Sequence, residues 1–369
     1  MPKQMARADR SSRGSGNASR DMALDIVSYG RRGPGGRLRL GSDEIAQVQR
    51  TVGRTPEVMV KVSGGGRDVG GVEAHLRYIS RHGKLPLETD EGLTQQGRGA
   101  ARDIVTDWQL ELCSSQYKPK PAQGQKDRRA KLAHNIVLSM PAGTPPEKVL
   151  AAARVFAREN FALQYRYAMV LHTDQPHPHV HLVVKCEHEF EPGKRLYIYK
   201  DTLRQWREQF AALMREQGVA ANATPRQVRG VIRKPYRDPI HHRLRALRAF
   251  ARLSTAERQR GRAPKPSTVM RTQLEHMLRR LKAGQEASHV GQEKMRNTRQ
   301  EVLADWHATA DMLRRQGEAR LAAQVDRFTM GMPSVKTDDQ RLAERWREAE
   351  KRRTPDDHGC RASSLRVGQ

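Results

Sequence analysis

Apolar residues in this chain gather into short alternating or periodic runs set between long polar stretches. Four runs, "EVMVKVS", "HNIVLSM", "YRYAMVLH" and "VHLVVKCE", have the length and β-branched content of strands. Three longer stretches, "DVGGVEAHLRYISRH", "PEKVLAAARVFAREN" and "KDTLRQWREQFAALMREQG", repeat apolar positions at helical spacing. Together they predict an α/β (α+β) domain over residues 56–243 with at least one hairpin and no simple βαβ alternation. Residues 1–55 have little apolar periodicity, and "RSSRGSGNASR" and "GRRGPGGRLRLG" read as a basic, disordered arm. Over 244–369 the chain turns to Arg, Gln, Glu, Ala and Leu, broken by "RGRAPKPST". Leu274, Met277, Leu278 and Leu281 share one helical stripe there, and Val302, Trp306, Ala310 and Leu313 another. The expectation is a basic helical region with a frayed end, suited to binding partners.

The strand pattern also places chemistry. In "VHLVVK" the side chains of His179 and His181 leave on one face, while Val180, Leu182 and Val184 point to the other. If "TDQPHP" closes a hairpin, His172 at the end of the preceding strand joins them. Three imidazoles with open positions are the donor set of a catalytic metal, whereas a structural zinc is usually sealed by four ligands. Asp174 on the connecting loop can hold a ligand's N–H or accept a proton. His177, between Pro176 and Pro178, is open to two readings, a fourth ligand or a substrate contact.

A three-His metal could activate water, so the rest of the domain has to decide the nucleophile. In "VGGVEAHLRYISRHGKL", Val69, Val72, Leu76 and Ile79 form the buried stripe and Tyr78 faces away from it. Its helical neighbours His75, Arg81 and His82 would surround the phenol with cationic groups, which favour a phenolate, and Gly83 would stop the helix. From this helix alone an ordinary surface tyrosine fits better. Tyr165, Tyr167, Tyr197 and Tyr199 read as sheet or packing residues. Ser139, at a strand end, can bond a phosphate, and Thr144, Pro145 and Glu147 fit a capping box.

Composition narrows the substrate. The 369 residues carry a formal charge of +27, which points to a polyanion, nucleic acid before an anionic membrane. No apolar run approaches the roughly 20 residues of a spanning helix, and "MPKQMARADR" has no signal-peptide core, so a cytoplasmic protein without membrane insertion is expected. Cys113, Cys186 and Cys360 form no CxxC pair, which argues against a disulfide framework or a cysteine zinc finger. Gly64–Gly66 is followed by the wrong residues for a phosphate loop, so no ATP-driven motor is visible.

Taken in order, "YISRHGKL", "HNIVLSMPAGT" and "HTDQPHPHVHLVV" resemble the three motifs of the relaxase/mobilization nuclease family, in the P-type branch of HUH endonucleases that includes the T-DNA border endonuclease. The likeness runs from Val58 to Arg243 and takes in "TPRQVRG". It implies an HUH-type nuclease with a central antiparallel sheet flanked by helices, nicking single-stranded DNA at an origin of transfer. Tyr78 would be the nucleophile, yielding a 5′-phosphotyrosine that can later rejoin the strand. His172, His179 and His181 would hold one divalent cation (Mg, Mn or Zn), Asp174 would orient a ligand or accept a proton, and Ser139 would position DNA. Arg77, Arg81, Lys84, Lys185, His177, Arg226 and Arg229 are the expected phosphate contacts. Only a basic helical region follows the nuclease, which implies a compact mobilization relaxase working with relaxosome accessory proteins and a type IV secretion coupling protein, and exported with its DNA. Two alternatives stay open: a replication initiator or transposase using the same chemistry, and a non-catalytic DNA-binding protein whose histidines hold zinc.

Overall fold

The computed structural model describes residues 39–113, 127, 129–191, 193–232, 246, 254, 265, 268–283, 285 and 290–351. The N-terminal arm up to residue 38, most of "RGRAPKPST", the expected boundary at 243 and the C-terminal tail lie outside them. The chain divides into two compact units, one of Gly41–Thr224 and one that includes Leu40 and runs from Pro225 onward.

The first unit is built on a six-stranded sheet in the order β1-β4-β6-β5-β2-β3, with every paired neighbour antiparallel. The strands are β1 (Met59–Gly64), β2 (Leu87–Thr89), β3 (Thr94–Gln95), β4 (Ala133–Ser139), β5 (Tyr167–His172) and β6 (His179–Lys185). The four longer ones are those the apolar runs predicted, and β5 and β6 form the expected hairpin, with His172 directly opposite His179. The strands β4, β5 and β6 are covered on both faces and are almost continuously buried.

Side chains alternate between two cores. Val180, Leu182 and Val184 of β6 pack with Ile136, Leu138 and Met169 under α4 (Pro146–Phe161) and α5 (Lys200–Glu216), which contribute Phe156, Phe161, Trp206 and Phe210. On the other face Val183, Ala168 and Val170 meet Val72, Leu76 and Ile79 of α2 (Val69–Ile79) and Ile104 of α3 (Ala100–Asp107). His179 and His181 share that second face with Val183, so α2, the helix that carries Tyr78, packs on the sheet face that carries the histidines.

Three local expectations change. A helix, α1 (Ser42–Val52), stands within the segment read as a basic arm. It buries Val48, and Thr51 Oγ1 lies 3.0 Å from Thr224 Oγ1, which also accepts from Asn222 Nδ2 at 2.6 Å. Thr144 does not cap α4: its hydroxyl donates to the Pro141 carbonyl at 2.9 Å, and the helix begins at Pro146 with no side-chain cap. Tyr197 and Tyr199 are not packing residues but stand 64% and 67% exposed, because Leu196 and Ile198 take the inward positions of that extended segment.

In the second unit, helices cover Thr268–Lys282, Gln292–Arg315, Ala319–Met330 and Asp338–Lys351. Both predicted stripes are helical; Met277 and Trp306 are buried, and Leu274 is 37% exposed. This unit takes in residues well before 243, because Trp306 Nε1 donates to the Val228 carbonyl at 3.0 Å and Arg299 Nη2 to that of Gly230 at 2.6 Å. No described helix is long and apolar enough to cross a membrane.

Candidate active site

Register builds the histidine cluster. His172 ends β5 opposite His179, and His181 sits between Val137 of β4 and Val170 of β5. One donor nitrogen from each of the three rings lies within 4.8 Å of the other two. Three ligands on one cation at about 2.1 Å lie within roughly 4 Å of one another, a spacing close to that of these nitrogens.

The proton positions follow from the acceptors. His172 Nε2 is 2.6 Å from the Ile79 carbonyl, which can only accept, so Nε2 carries the hydrogen and Nδ1 carries the lone pair. His179 Nδ1 likewise donates to the His177 carbonyl at 3.0 Å, leaving Nε2 with the lone pair. His181 Nδ1 is buried without a hydrogen-bond partner. Burial pushes the His172 pKa down, against the opposing bond to Ile79 and with help from the Arg81 charge. His181 falls to about 3 through burial first and then the neighbouring His172, His179, His75 and Arg81 charges. Two rings that burial holds toward the neutral form, a third that offers Nε2, and one unsatisfied buried nitrogen fit a single divalent cation.

Tyr78 stands 62% exposed on the outer side of α2, as the helical stripe predicted. The surroundings of its ring differ from the expected cationic collar in two ways. His75, 6.5 Å from the Tyr78 ring and 6.4 Å from His181, is lowered in pKa by burial, which favours its neutral form. The helix also stops earlier, at Ile79 with Ser80 as cap, and Arg81 and His82 take φ of +53° and +58°. Non-glycine residues in this region cost on the order of 1 kcal/mol each. The turn is held by His82 N donating to the Arg77 carbonyl at 2.8 Å, Leu85 N to Ser80 O at 2.8 Å and Gly97 N to Gly83 O at 3.0 Å.

That turn swings Arg81 back over the cluster. Its Nη2 lies 2.6 Å from Asp174 Oδ2 and 3.3 Å from His172 Nδ1, with its guanidinium carbon 5.5 Å from the Tyr78 ring centre. Asp174 is thus bonded to Arg81, and the orienting bond to His172 expected of it comes from the Ile79 carbonyl. Burial would raise the Asp174 pKa, but the Arg81 hydrogen bond and charge outweigh it and hold the carboxyl below its usual range, which makes it a poor proton acceptor at neutral pH.

Gly83 makes this geometry possible. Its φ is +83°, and an added Cβ would come within 2.1 Å of the Gly97 carbonyl oxygen, a backbone atom. Gly83→Ala is therefore expected to lower stability by about 1–3 kcal/mol and to loosen the Arg81 turn, as read from denaturant unfolding.

The expected phosphate contacts divide. Lys84 and His177 are exposed. Arg77 is paired with Glu73 on its own helix. Ser139 is beside His179 but only 5% exposed, its hydroxyl donating to the Pro178 carbonyl at 3.3 Å, so it fastens the loop before His179 and does not face solvent. Lys185 is 8% exposed and bound to Glu189 at 2.7 Å, at the end of β6 opposite to the histidines, so it is occupied within the fold. Arg226 and Arg229 are half-buried in the second unit.

Residues 105–219 match the family model described as relaxase, MobA/VirD2-like, nuclease domain. The chain carries a MobA/VirD2-like relaxase nuclease domain. The matched segment contains all three histidines, while Tyr78 and Arg81 precede it, so their placement rests on the geometry above. The T-DNA border endonuclease VirD2 of Rhizobium radiobacter is 27% identical over 210 residues, 52% of this chain and 47% of that protein. VirD2 of Agrobacterium fabrum (strain C58) is 26% identical over 205 residues, 51% of this chain and 44% of that one. The relaxase match thus spans about half of this chain and less than half of these relatives. Among solved structures, the MobM relaxase domain bound to plasmid pMV158 oriT DNA, in a Mn-bound crystal, aligns over 52% of this chain and 99% of its own at 14% identity, with a TM-score of 0.33.

Proposed function

We propose that this relaxase domain nicks single-stranded DNA at an origin of transfer through Tyr78 and conserves the bond as a 5′-phosphotyrosine. The observation that carries the reading is the pairing of a three-imidazole cluster with a solvent-facing tyrosine on the helix packed over the same sheet face. Tyr78 Oη attacks the phosphorus, the bond to the 3′ oxygen breaks, the phenolic proton leaves to solvent and a proton returns to the 3′ oxygen. His172, His179 and His181 would hold a divalent cation, which supplies charge stabilisation for the non-bridging phosphate oxygens. The phosphodiester energy stays in the tyrosyl ester, so the 3′ hydroxyl can reverse the step without ATP. A single strand suits the site, because its phosphates bend into a recessed cluster that a duplex reaches only with distortion. The formal charge of +27 supports a salt-sensitive hold on that strand. On the same reading the domain runs from residue 56, the helices from Pro225 onward serve accessory or secretion-coupling partners, and the process is conjugative mobilization.

The test uses the full chain, Mn²⁺ and oligonucleotides tiling the non-coding DNA beside the gene, labelled at one end or the other. A 3′ label should transfer to protein on a denaturing gel, a 5′ label should not, and EDTA should prevent transfer. No transfer from any tile would remove the relaxase reading in favour of a histidine-held structural metal, and transfer of the 5′ label would reverse the polarity.

A further inference from the structure

Arg81 stands where three parts of the site meet. His172 has its hydrogen on Nε2, bonded to Ile79, so Nδ1 is the nitrogen it can offer a cation. Arg81 Nη2 is 3.3 Å from that same Nδ1 and 2.6 Å from Asp174 Oδ2, two acceptors for the two hydrogens of one nitrogen. One imidazole lone pair serves one partner, so a cation and the Arg81 N–H exclude each other there, and a divalent charge adds repulsion. Asp174 is half-exposed, which leaves the guanidinium a tether from which to turn outward. Its fork matches phosphate oxygens, and the Tyr78 ring is 5.5 Å away. The consecutive left-handed backbone angles at Arg81 and His82 are strained outliers that serve to bring this side chain back to the cluster.

We propose that Arg81 is a positioning residue that competes with the divalent cation for His172 Nδ1, and that cation binding turns its guanidinium to a phosphate of the DNA strand beside Tyr78. This rests on the cation of the relaxase reading and deepens it by naming what the cation displaces. Loading of the metal and capture of the strand are then coupled through one side chain.

Titration calorimetry of the DNA-free full chain with MnCl2 tests the competition. Arg81→Ala should bind Mn²⁺ about three- to tenfold more tightly than wild type, the reverse of what removing a merely structural residue would do. Arg81→Gly, suited to the positive φ, serves if the alanine chain folds poorly. Adding His179→Ala should weaken the binding strongly in both backgrounds. Equal or weaker Mn²⁺ affinity in the Arg81 variants overturns the competition while leaving the cation site standing. Absence of Mn²⁺ binding in wild type and variants alike, or binding left undiminished by His179→Ala, overturns the cation reading and this inference with it. At saturating Mn²⁺, binding of an oligo-thymidine strand across a salt series should show a slope shallower by about 0.7 in Arg81→Ala, the effect of leaving one phosphate without its cationic partner. An unchanged slope overturns the transfer to DNA.

Discussion

Tyr78→Phe is expected to leave the fold intact and to abolish covalent attachment to DNA, by on the order of 10³-fold or more. The ring is 62% exposed, its hydroxyl makes no hydrogen bond among the described residues, and phenylalanine keeps the 5.5 Å approach to Arg81, so neither the core nor the Arg81 turn is deprived of a partner. Affinity for single-stranded DNA should persist, since the charged surface supplies it. The measurement is adduct yield on a denaturing gel beside oligonucleotide binding by anisotropy. An adduct yield equal to wild type would take the tyrosine out of the chemistry and return the nucleophile to water.

His179→Ala is the second large effect. His179 is one of three donors within 4.8 Å, and a cation left with two imidazoles is held much more weakly. Cleavage should fall on the order of 10²-fold or more at low metal concentration, partly recovered by excess metal. The ring is half-exposed at the hairpin base and, among the described residues, hydrogen-bonds only the His177 carbonyl, so the domain should still fold, with melting temperature and salt-sensitive DNA affinity close to wild type. Unchanged cleavage at limiting Mn²⁺ would remove His179 from the cation site.

These two residues were legible in the sequence for a physical reason. Strand alternation has a period of two, so His179 and His181 had to share a face, and a six-residue loop between two strands set His172 opposite His179. Helical periodicity put Tyr78 opposite a stripe that is indeed buried, Val72, Leu76 and Ile79. The relation between the two sets was not legible, because it depends on α2 packing over β5 and β6. Nor was the turn after Ile79, since neither Arg81 nor His82 is a residue type that announces a left-handed φ. Without that turn, Asp174 looked free to orient a histidine, and the Arg81 bridge stayed out of view.

The misplaced phosphate contacts have a common origin. A strand-end position suggests Ser139 and charge suggests Lys185 as phosphate contacts, but sheet order decides exposure. β4 and β6 are interior strands with cores on both faces, so a polar residue on either finds a partner within the fold. The helix α1 was within reach of the sequence: Ile45, Val48 and Val52 fall at helical spacing after Ser42, Asp43 and Glu44, a signal masked by the Arg and Gly residues before it.

In the proposed reaction the protein itself becomes the phosphoryl carrier at Tyr78. Tandem mass spectrometry of the purified covalent complex, after nuclease trimming and proteolysis, tests it most directly. The expected product is a nucleotide joined by its 5′ phosphate to Tyr78; a nucleotide on any other residue, or cleaved DNA with no peptide attached, rules the tyrosyl carrier out.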